Sequence, residues 1–365
     1  MQPPKKITII SDFAYPIVGG TEKYVYEAGE QFSKKNKVTI ISPIWSTEKK
    51  EENFLFKRIN KNFKIIRFGG KYRRNAIIKP LKFLIELIKN RNDCDVVNGH
   101  YFSNALVTIL FAKIFKKKSA ITLYEVENLQ RSNFMIKLLN SADKIITISD
   151  TLKDYLEQKG LKNIEVIPPW ITIGNTKYNQ NELKKKYKLT GKQVVLFVGR
   201  IIKTKGVEEL VKAIPLIKKK IKNIKVVCIG AKIDNEIIEL PEKLGVNDNC
   251  DFLGFVSEKE KDDYNKLCDI AIYPPYVKGG FGFVLLEAMK YNKAVIGSDN
   301  WGVPDAVGNA GIIIPQKDHK AIASAVIKIL TNKSLRNKYE KLAGIQAKKF
   351  EKNTLLTKYE KILTE

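Results

Sequence analysis

At 365 residues the chain is long enough for about two domains. A content of 44% hydrophobic and 10% aromatic residues supports buried cores and excludes wholesale disorder, and no run of ~18 uninterrupted apolar residues offers a membrane-spanning helix. The excess of 65 basic over 39 acidic residues gives a net charge of +26 and predicts attraction to polyanions: nucleic acid, anionic lipid or phosphate-bearing substrates.

The distribution of that charge is uneven. Residues 1–170 carry +13, of which +11 falls within residues 51–120, whereas the remaining half carries its +13 as scattered lysines on helix-like segments. The four cysteines, Cys94, Cys228, Cys250 and Cys268, lack CxxC spacing, and the two histidines leave little room for His-based metal chemistry. A cytoplasmic chain with neither a disulfide framework nor a zinc site is expected. Met1-Gln-Pro-Pro-Lys-Lys runs into the short apolar strand Ile7–Ile10, too brief for the core of a signal peptide.

In chain order, short β-branched runs alternate with longer amphipathic segments, the pattern of α/β domains with parallel sheets. Strand Ile7–Ile10 precedes a helical pattern at Gly19–Phe32. Strands Val38–Ser42 and Ile65–Phe68 follow, then helix Pro80–Lys89, strand Asp95–Asn98, helix Ser103–Lys116 and strand Ala120–Leu123. Strand Lys144–Ser149, helix Thr151–Lys159 and strand Ile164–Ile167 complete a first half, and the rhythm breaks over 169–182. It restarts at strand Val194–Val198 and continues through helix Val207–Lys220, strands Val226–Ile229, Asp251–Leu253 and Ile270–Tyr273, and strands Ala294–Ile296 and Gly311–Ile314, before closing on helices. The expected architecture is two Rossmann-like doubly wound domains facing a central cleft, 1–170 and 171–350, with a C-terminal helix over 351–365.

Three constellations fall at strand ends. Gly19-Gly20 sits at a strand-to-helix turn, where backbone amides can approach an anion; it is not GxGxxG, which weakens the case for a dinucleotide cofactor. In Phe197-Val-Gly-Arg-Ile-Ile-Lys-Thr-Lys-Gly206, Arg200 and Lys205 both precede the next helix, and two fixed cations at a strand-end loop suit a diphosphate. In Tyr273-Pro-Pro-Tyr-Val-Lys-Gly-Gly-Phe-Gly-Phe-Val-Leu-Leu-Glu-Ala-Met289, a glycine-rich loop feeds an apolar helix that carries Glu287. A carboxylate there needs partners, since burying it unpaired is costly, and a ribose diol is one suitable partner; local backbone capping is another.

The ordered set Gly199-Arg200…Lys205-Gly206, Phe252-Leu-Gly-Phe-Val256, Gly280-Phe-Gly-Phe-Val-Leu-Leu-Glu-Ala-Met289, Gly302-Val-Pro-Asp305 and Gly311-Ile-Ile-Ile-Pro315 resembles the retaining glycosyltransferases of family 4, with the GT-B fold. Gly19-Gly20, the segment Ala142–Ser149 and Val166-Ile-Pro168 are similar to that family too. The resemblance implies that Arg200 and Lys205 hold the diphosphate of a nucleotide-sugar donor and Glu287 its ribose. The amides of Gly280, Phe281 and Gly282 would meet the sugar, those of Val284 and Leu285 the phosphates, and Phe255 and Val256 the base. Gly20 would approach the diphosphate from the N-terminal domain, which in this family takes the acceptor. Transfer needs no cofactor beyond the donor, and no metal, because Arg and Lys neutralise the leaving diphosphate.

Two positions depart from the family pattern. Gly279 stands where a Glu is usual, and Tyr124, followed by Glu125 and Glu127, stands where a His is usual. Tyr124 orienting the sugar, with Glu125 or Glu127 replacing the lost carboxylate, is the expectation for catalysis, and an inactive nucleotide-sugar-binding or scaffolding chain is the alternative. His100, at a strand end, could contact acceptor or donor, or only hydrogen-bond locally. Asp262-Asp263 looks like a solvated helical pair.

The helix Pro80–Lys89 sets Lys79, Lys82, Glu86 and Lys89 opposite Ile78, Leu81, Ile85 and Ile88, so the aliphatic stripe is expected to pack on the sheet. The basic, aromatic-interleaved stretch 57–74 suits an anionic membrane surface and a lipid-linked acceptor, which would place the protein peripherally on the cytoplasmic membrane face. A nucleic-acid partner is not expected, since no recognised module organises the charge.

Overall fold

The computed structural model describes residues 3–15, 20–44, 54–69, 78–125, 133–174, 177–276 and 280–365. The chain divides into two compact units, one of residues 1–169 with 353–365 and one of residues 170–352. Gly19, Glu127, Gly279 and residues 71–74 of the basic stretch lie outside the described residues.

The first unit contains β1 (Lys6–Ile10), α1 (Gly20–Phe32), β2 (Lys37–Pro43), β3 (Phe56–Asn60), β4 (Phe63–Phe68), α2 (Ile78–Lys89) and β5 (Val96–His100). It continues with α3 (Ala105–Ile114), β6 (Lys118–Leu123), α4 (Asn133–Leu139), β7 (Lys144–Thr147), α5 (Asp150–Gln158) and β8 (Ile164–Val166). The sheet order is β3-β4-β2-β1-β5-β6-β7-β8, parallel throughout except for the β3–β4 pair at one edge. Interior strands such as β1 and β5 are buried along almost their whole length, as a sheet covered on both faces requires. On one face, Phe83 and Leu87 of α2 and Val107 and Phe111 of α3 pack over Ile10, Ile41, Phe68 and Val97.

The second unit contains α6 (Gln180–Lys186), β9 (Gln193–Val198), α7 (Val207–Lys220), β10 (Ile224–Ile229), α8 (Asn235–Lys243), β11 (Cys250–Gly254) and α9 (Glu258–Leu267). Then come β12 (Ile270–Tyr273), α10 (Phe283–Met289), β13 (Ala294–Ser298), α11 (Val303–Val307), β14 (Gly311–Ile314), α12 (His319–Thr331) and α13 (Lys333–Lys348). Its sheet is wholly parallel, in the order β11-β10-β9-β12-β13-β14. The last helix, α14 (Lys352–Thr364), belongs to the first unit over residues 353–365, where Tyr359 packs edge-on against Phe32 of α1 at 5.3 Å.

Several expectations are corrected. The stripe of α2 is inverted: Phe83 and Leu87 face the sheet while Leu81, Ile85 and Ile88 are exposed. The helix has two apolar faces, and the one carrying the larger ring is buried. Strand β3 overlaps the start of the stretch read as a basic surface, and α6 begins within residues 169–182, where the sequence rhythm breaks. Asp262 and Asp263 are on α9 but are not merely solvated. Asp263 is buried and accepts from Lys186 and Tyr187, while Asp262 accepts from Tyr291 and pairs with Lys266 and Lys290. Though burial opposes it, those donors hold the Asp262 carboxyl down at about 2. All four cysteines are buried and unpaired, and burial pushes Cys94 up to about 11 and Cys268 to about 12.

Candidate functional site

In an open parallel sheet, loops at the carboxyl ends of the strands carry the ligand, at the point where strand order reverses. In the second unit that point lies between β9 and β12, which are neighbours although five strands and helices, α7 to α9, separate them in the chain. The loops after these two strands carry both glycine-and-cation constellations.

After β9 the chain passes Arg200, then a 3-10 turn over Lys203–Lys205, and enters α7 through Gly206 at φ 73°. That glycine is required twice over: the backbone is left-handed, and a Cβ would meet the Pro274 carbonyl oxygen at 1.9 Å. Tyr276 N–H donates to the Thr204 carbonyl at 3.1 Å, so the loops after β9 and β12 are laced together. The Lys205 ammonium donates to the Tyr273 hydroxyl at 3.0 Å. Arg200 is exposed, and among the described residues it has neither an ion-pair nor a side-chain hydrogen-bond partner.

The loop into α10 turns at Gly280 (φ 96°) and Gly282 (φ 83°). The amides of Gly280, Phe281, Gly282 and Val284 make no hydrogen bond among the described residues; that of Leu285 is bonded to the Gly282 carbonyl at 2.8 Å. Leu285 is therefore removed from the expected phosphate donors. Phe281 is buried against Phe350, so only its backbone can serve a ligand.

Glu287 is 7% exposed and pairs with Lys261 of α9 at 3.0 Å, an interaction the sequence did not indicate. Burial presses Lys261 toward its neutral form, but Glu287 and Glu258 outweigh it and raise its pKa above the ordinary lysine value. One Glu287 oxygen is thus engaged, and Oε2 has no partner among the described residues. Beyond β11, Phe255 is 85% exposed, an unusual placement for a phenyl ring, and Val256 is half-buried beside it. Arg200, Lys205, Phe255 and the Gly280–Glu287 segment all follow the carboxyl ends of β9, β11 and β12, so one edge of one sheet presents them.

In the first unit strand order reverses between β1 and β5. Gly20 opens α1 after β1, and His100 ends β5. Sequence reasoning missed Asp12, a buried acid after β1, which pairs with Lys79 at 2.6 Å and accepts from Ser103 and Asn104. Its only sequence signal is its place directly beyond the first strand.

His100 is 0% exposed, so it does not offer itself to a ligand directly. Its Nδ1 lies 2.6 Å from the Tyr124 hydroxyl and its Nε2 3.2 Å from that of Tyr359. Asn98 donates to the Tyr359 oxygen, Thr122 donates to Asn98 Oδ1 at 3.1 Å, and the Tyr359 and Thr122 hydroxyls are 3.1 Å apart. One assignment satisfies every contact: Tyr359 donates to Thr122 and accepts from His100 Nε2–H, which leaves Nδ1 to accept from Tyr124. Burial holds His100 down at about 3, so the ring is neutral, and burial raises Tyr124 well above the usual phenol range. Glu125 follows, exposed.

Three of the five cations described in the basic stretch are engaged within the fold. Lys64 pairs with Asp93, Arg67 is buried with its guanidinium on the Pro43 carbonyl, and Lys57 reaches the Tyr15 hydroxyl. No helix among the described residues is long and apolar enough to cross a membrane.

Residues 179–344 match the family described as glycosyl transferases group 1, and residues 18–175 match glycosyltransferase family 4. An uncharacterized glycosyltransferase of Methanocaldococcus jannaschii is 27% identical, over 94% of this chain and 93% of its own length. The N,N'-diacetylbacillosaminyl-diphospho-undecaprenol alpha-1,3-N-acetylgalactosaminyltransferase of Campylobacter jejuni is 24% identical, over 79% of this chain and 81% of its own. Among solved structures, Anabaena HepE in complex with UDP has the same fold, with a TM-score of 0.80 at 14% identity, covering 98% of this chain and 99% of that one.

Proposed function

Because the chain belongs to the family 4 glycosyltransferases and has their α/β, GT-B fold, we propose that it transfers a hexose from a nucleoside-diphosphate sugar, UDP- or GDP-linked, with retention at the anomeric carbon and without a metal. The observation that carries this reading is the pairing, in one loop after β9, of an unpartnered Arg200 with Lys205 held by Tyr273.

The roles follow from the chemistry of each group. As the glycosidic bond breaks, negative charge accumulates on the departing diphosphate; Arg200 offers a planar fork and Lys205 a point charge to that charge. The amides of Gly280, Gly282 and Val284 supply further donors to sugar and phosphate. Glu287 Oε2 accepts from the ribose while Lys261 holds the other oxygen, and the exposed Phe255, with Val256, lies against the base. Residues 170–352 form the donor unit and the first unit takes the acceptor, with Gly20 lending a backbone amide and Tyr124 orienting the sugar through its free oxygen lone pairs. Glu125, exposed beyond β6, replaces the carboxylate missing at Gly279. A polyprenyl-diphosphate-linked acceptor, of the class named for the Campylobacter jejuni relative, suits the positive charge of this chain.

Incubation with UDP- and GDP-hexoses and a panel of lipid-linked acceptors tests the reading, with product anomers assigned by NMR and chelator added in parallel. Transfer with retained configuration, unaffected by chelator, is expected. Donor binding with neither transfer nor hydrolysis would instead identify a non-catalytic binding protein.

A further inference from the structure

The outward faces of α2 and α3 are apolar. Both helices pack their inner sides, Phe83 and Leu87 on α2 and Val107 and Phe111 on α3, onto the same face of the first sheet, and they contact one another. Their outer sides therefore point the same way. Leu81, Ile85 and Ile88 form one stripe and Leu106, Leu110 and Ile114 the other, each spaced by three or four residues, and all six are between 37% and 65% exposed. They are six of the nine exposed large hydrophobic side chains among the described residues of this unit. A helix on a sheet normally turns charged residues outward, so two adjacent helices with aliphatic outer stripes call for a covering surface.

The charges around the stripes say what covers them. Lys89 ends α2 and Arg91 follows it, while Lys113 lies in the last turn of α3 and Lys116 and Lys117 follow; in parallel crossovers both ends lie at the same sheet edge. Each of the three acids between residues 78 and 118 has a local partner, Glu86 in Lys89, Asp93 in Lys64 and Lys6, and Asp95 in the Lys6 amide, so of the rim cations only Lys89 is neutralised. Lys113, Lys116 and Lys117 have no acidic partner among the described residues. We propose that the α2–α3 face is a membrane-docking surface, its six aliphatic side chains entering the acyl–headgroup boundary and its lysine rim resting on anionic lipid headgroups. A second copy of the chain would bring like charge against like, at +26 each. The proposal moves the membrane contact away from residues 57–74, whose Lys64 and Arg67 serve the fold. It does not depend on the sugar-transfer reading, since none of these residues belongs to the donor or acceptor machinery.

Flotation with vesicles tests it, comparing phosphatidylcholine alone with a 7:3 mixture of phosphatidylcholine and phosphatidylglycerol. The full chain should bind the anionic vesicles at least tenfold better, and less well as salt rises. Ile85→Ser with Leu110→Ser and Ile114→Ser should reduce binding at least tenfold; so should Lys113→Glu with Lys116→Glu. Both should keep nucleotide-sugar affinity and melting temperature, because the replaced side chains are exposed. Lys57→Glu with Arg58→Glu should change binding less than twofold. Unchanged vesicle binding in the stripe variant would overturn the proposal. So would equal affinity for both vesicle types, or a stable wild-type dimer that the stripe variant converts to monomer, which would assign the face to a second copy.

Discussion

Tyr124 donates its phenolic hydrogen to His100 Nδ1 across 2.6 Å, and the direction of that bond is set by a residue from the far end of the chain, Tyr359, which occupies Nε2. The tyrosine that stands where the family usually has a histidine is thus paired with a histidine one strand away. Its oxygen keeps lone pairs for a ligand hydroxyl, and its proton is committed.

From this pairing, Tyr124→Phe should keep the fold but leave His100 Nδ1 buried without a donor. A stability loss of about 1–2 kcal/mol is expected, together with a roughly tenfold fall in kcat/KM if the hydroxyl orients the sugar. Urea unfolding and steady-state transfer assays read the two effects separately.

His100 also makes stability depend on pH. Its native pKa, about 3, lies below the unfolded value of about 6.5, so between these the unfolded chain binds a proton that the native chain does not. Stability contributed by the neutral ring is fully present above pH ~6.5 and falls as pH drops toward 3. Acidification from pH 7 to 5 should cost roughly 2 kcal/mol through this group, and His100→Gln should flatten that part of the profile in urea titrations followed by tryptophan fluorescence.

How much of this was legible beforehand varied with the sequence distance of the interaction. Parallel sheets were readable because strands such as β1, β9 and β14 are short apolar runs rich in Val and Ile and the strand-end glycine Gly199 marks a turn, so Arg200, Lys205 and Glu287 could be placed on strand-end loops. The strand Phe56–Asn60 was not, because it is an exposed sheet-edge strand whose polar composition matches a basic surface stretch. The α2 stripe misled because periodicity finds a face without saying which of two faces is buried. The Lys261–Glu287 pair and the Tyr124–His100–Tyr359 chain join residues on different elements, and no local pattern encodes such meetings.

Glu287 offers a test of ribose recognition that separates binding from folding. In the wild type, UDP or GDP should bind at least tenfold tighter than its 2′,3′-dideoxy analogue. Glu287→Gln should abolish that ratio by weakening only the ribo form. Some loss of melting temperature is expected too, since Lys261 would keep only the exposed Glu258 as a full charge partner.

Gly206 joins the two ligand loops by steric necessity. Gly206→Ala must leave a left-handed backbone or push the Pro274 carbonyl away, because its Cβ would come within 1.9 Å of that oxygen. Several kcal/mol of destabilisation is expected, and differential scanning calorimetry of this variant beside Gly245→Ala, where a Cβ meets nothing within 4 Å, isolates the clash from the backbone preference they share.

The most direct measurement of the central claim is isothermal titration of nucleoside-diphosphate sugars into wild type, Arg200→Ala, Lys205→Ala and the double variant, with melting curves alongside. Each single change should weaken binding by about 10- to 100-fold, as for the loss of one charge-assisted contact, and the double variant should bind no diphosphate measurably. Melting should shift little for Arg200→Ala, whose exposed side chain has neither an ion-pair nor a hydrogen-bond partner among the described residues. Undiminished affinity in a folded double variant would contradict the account.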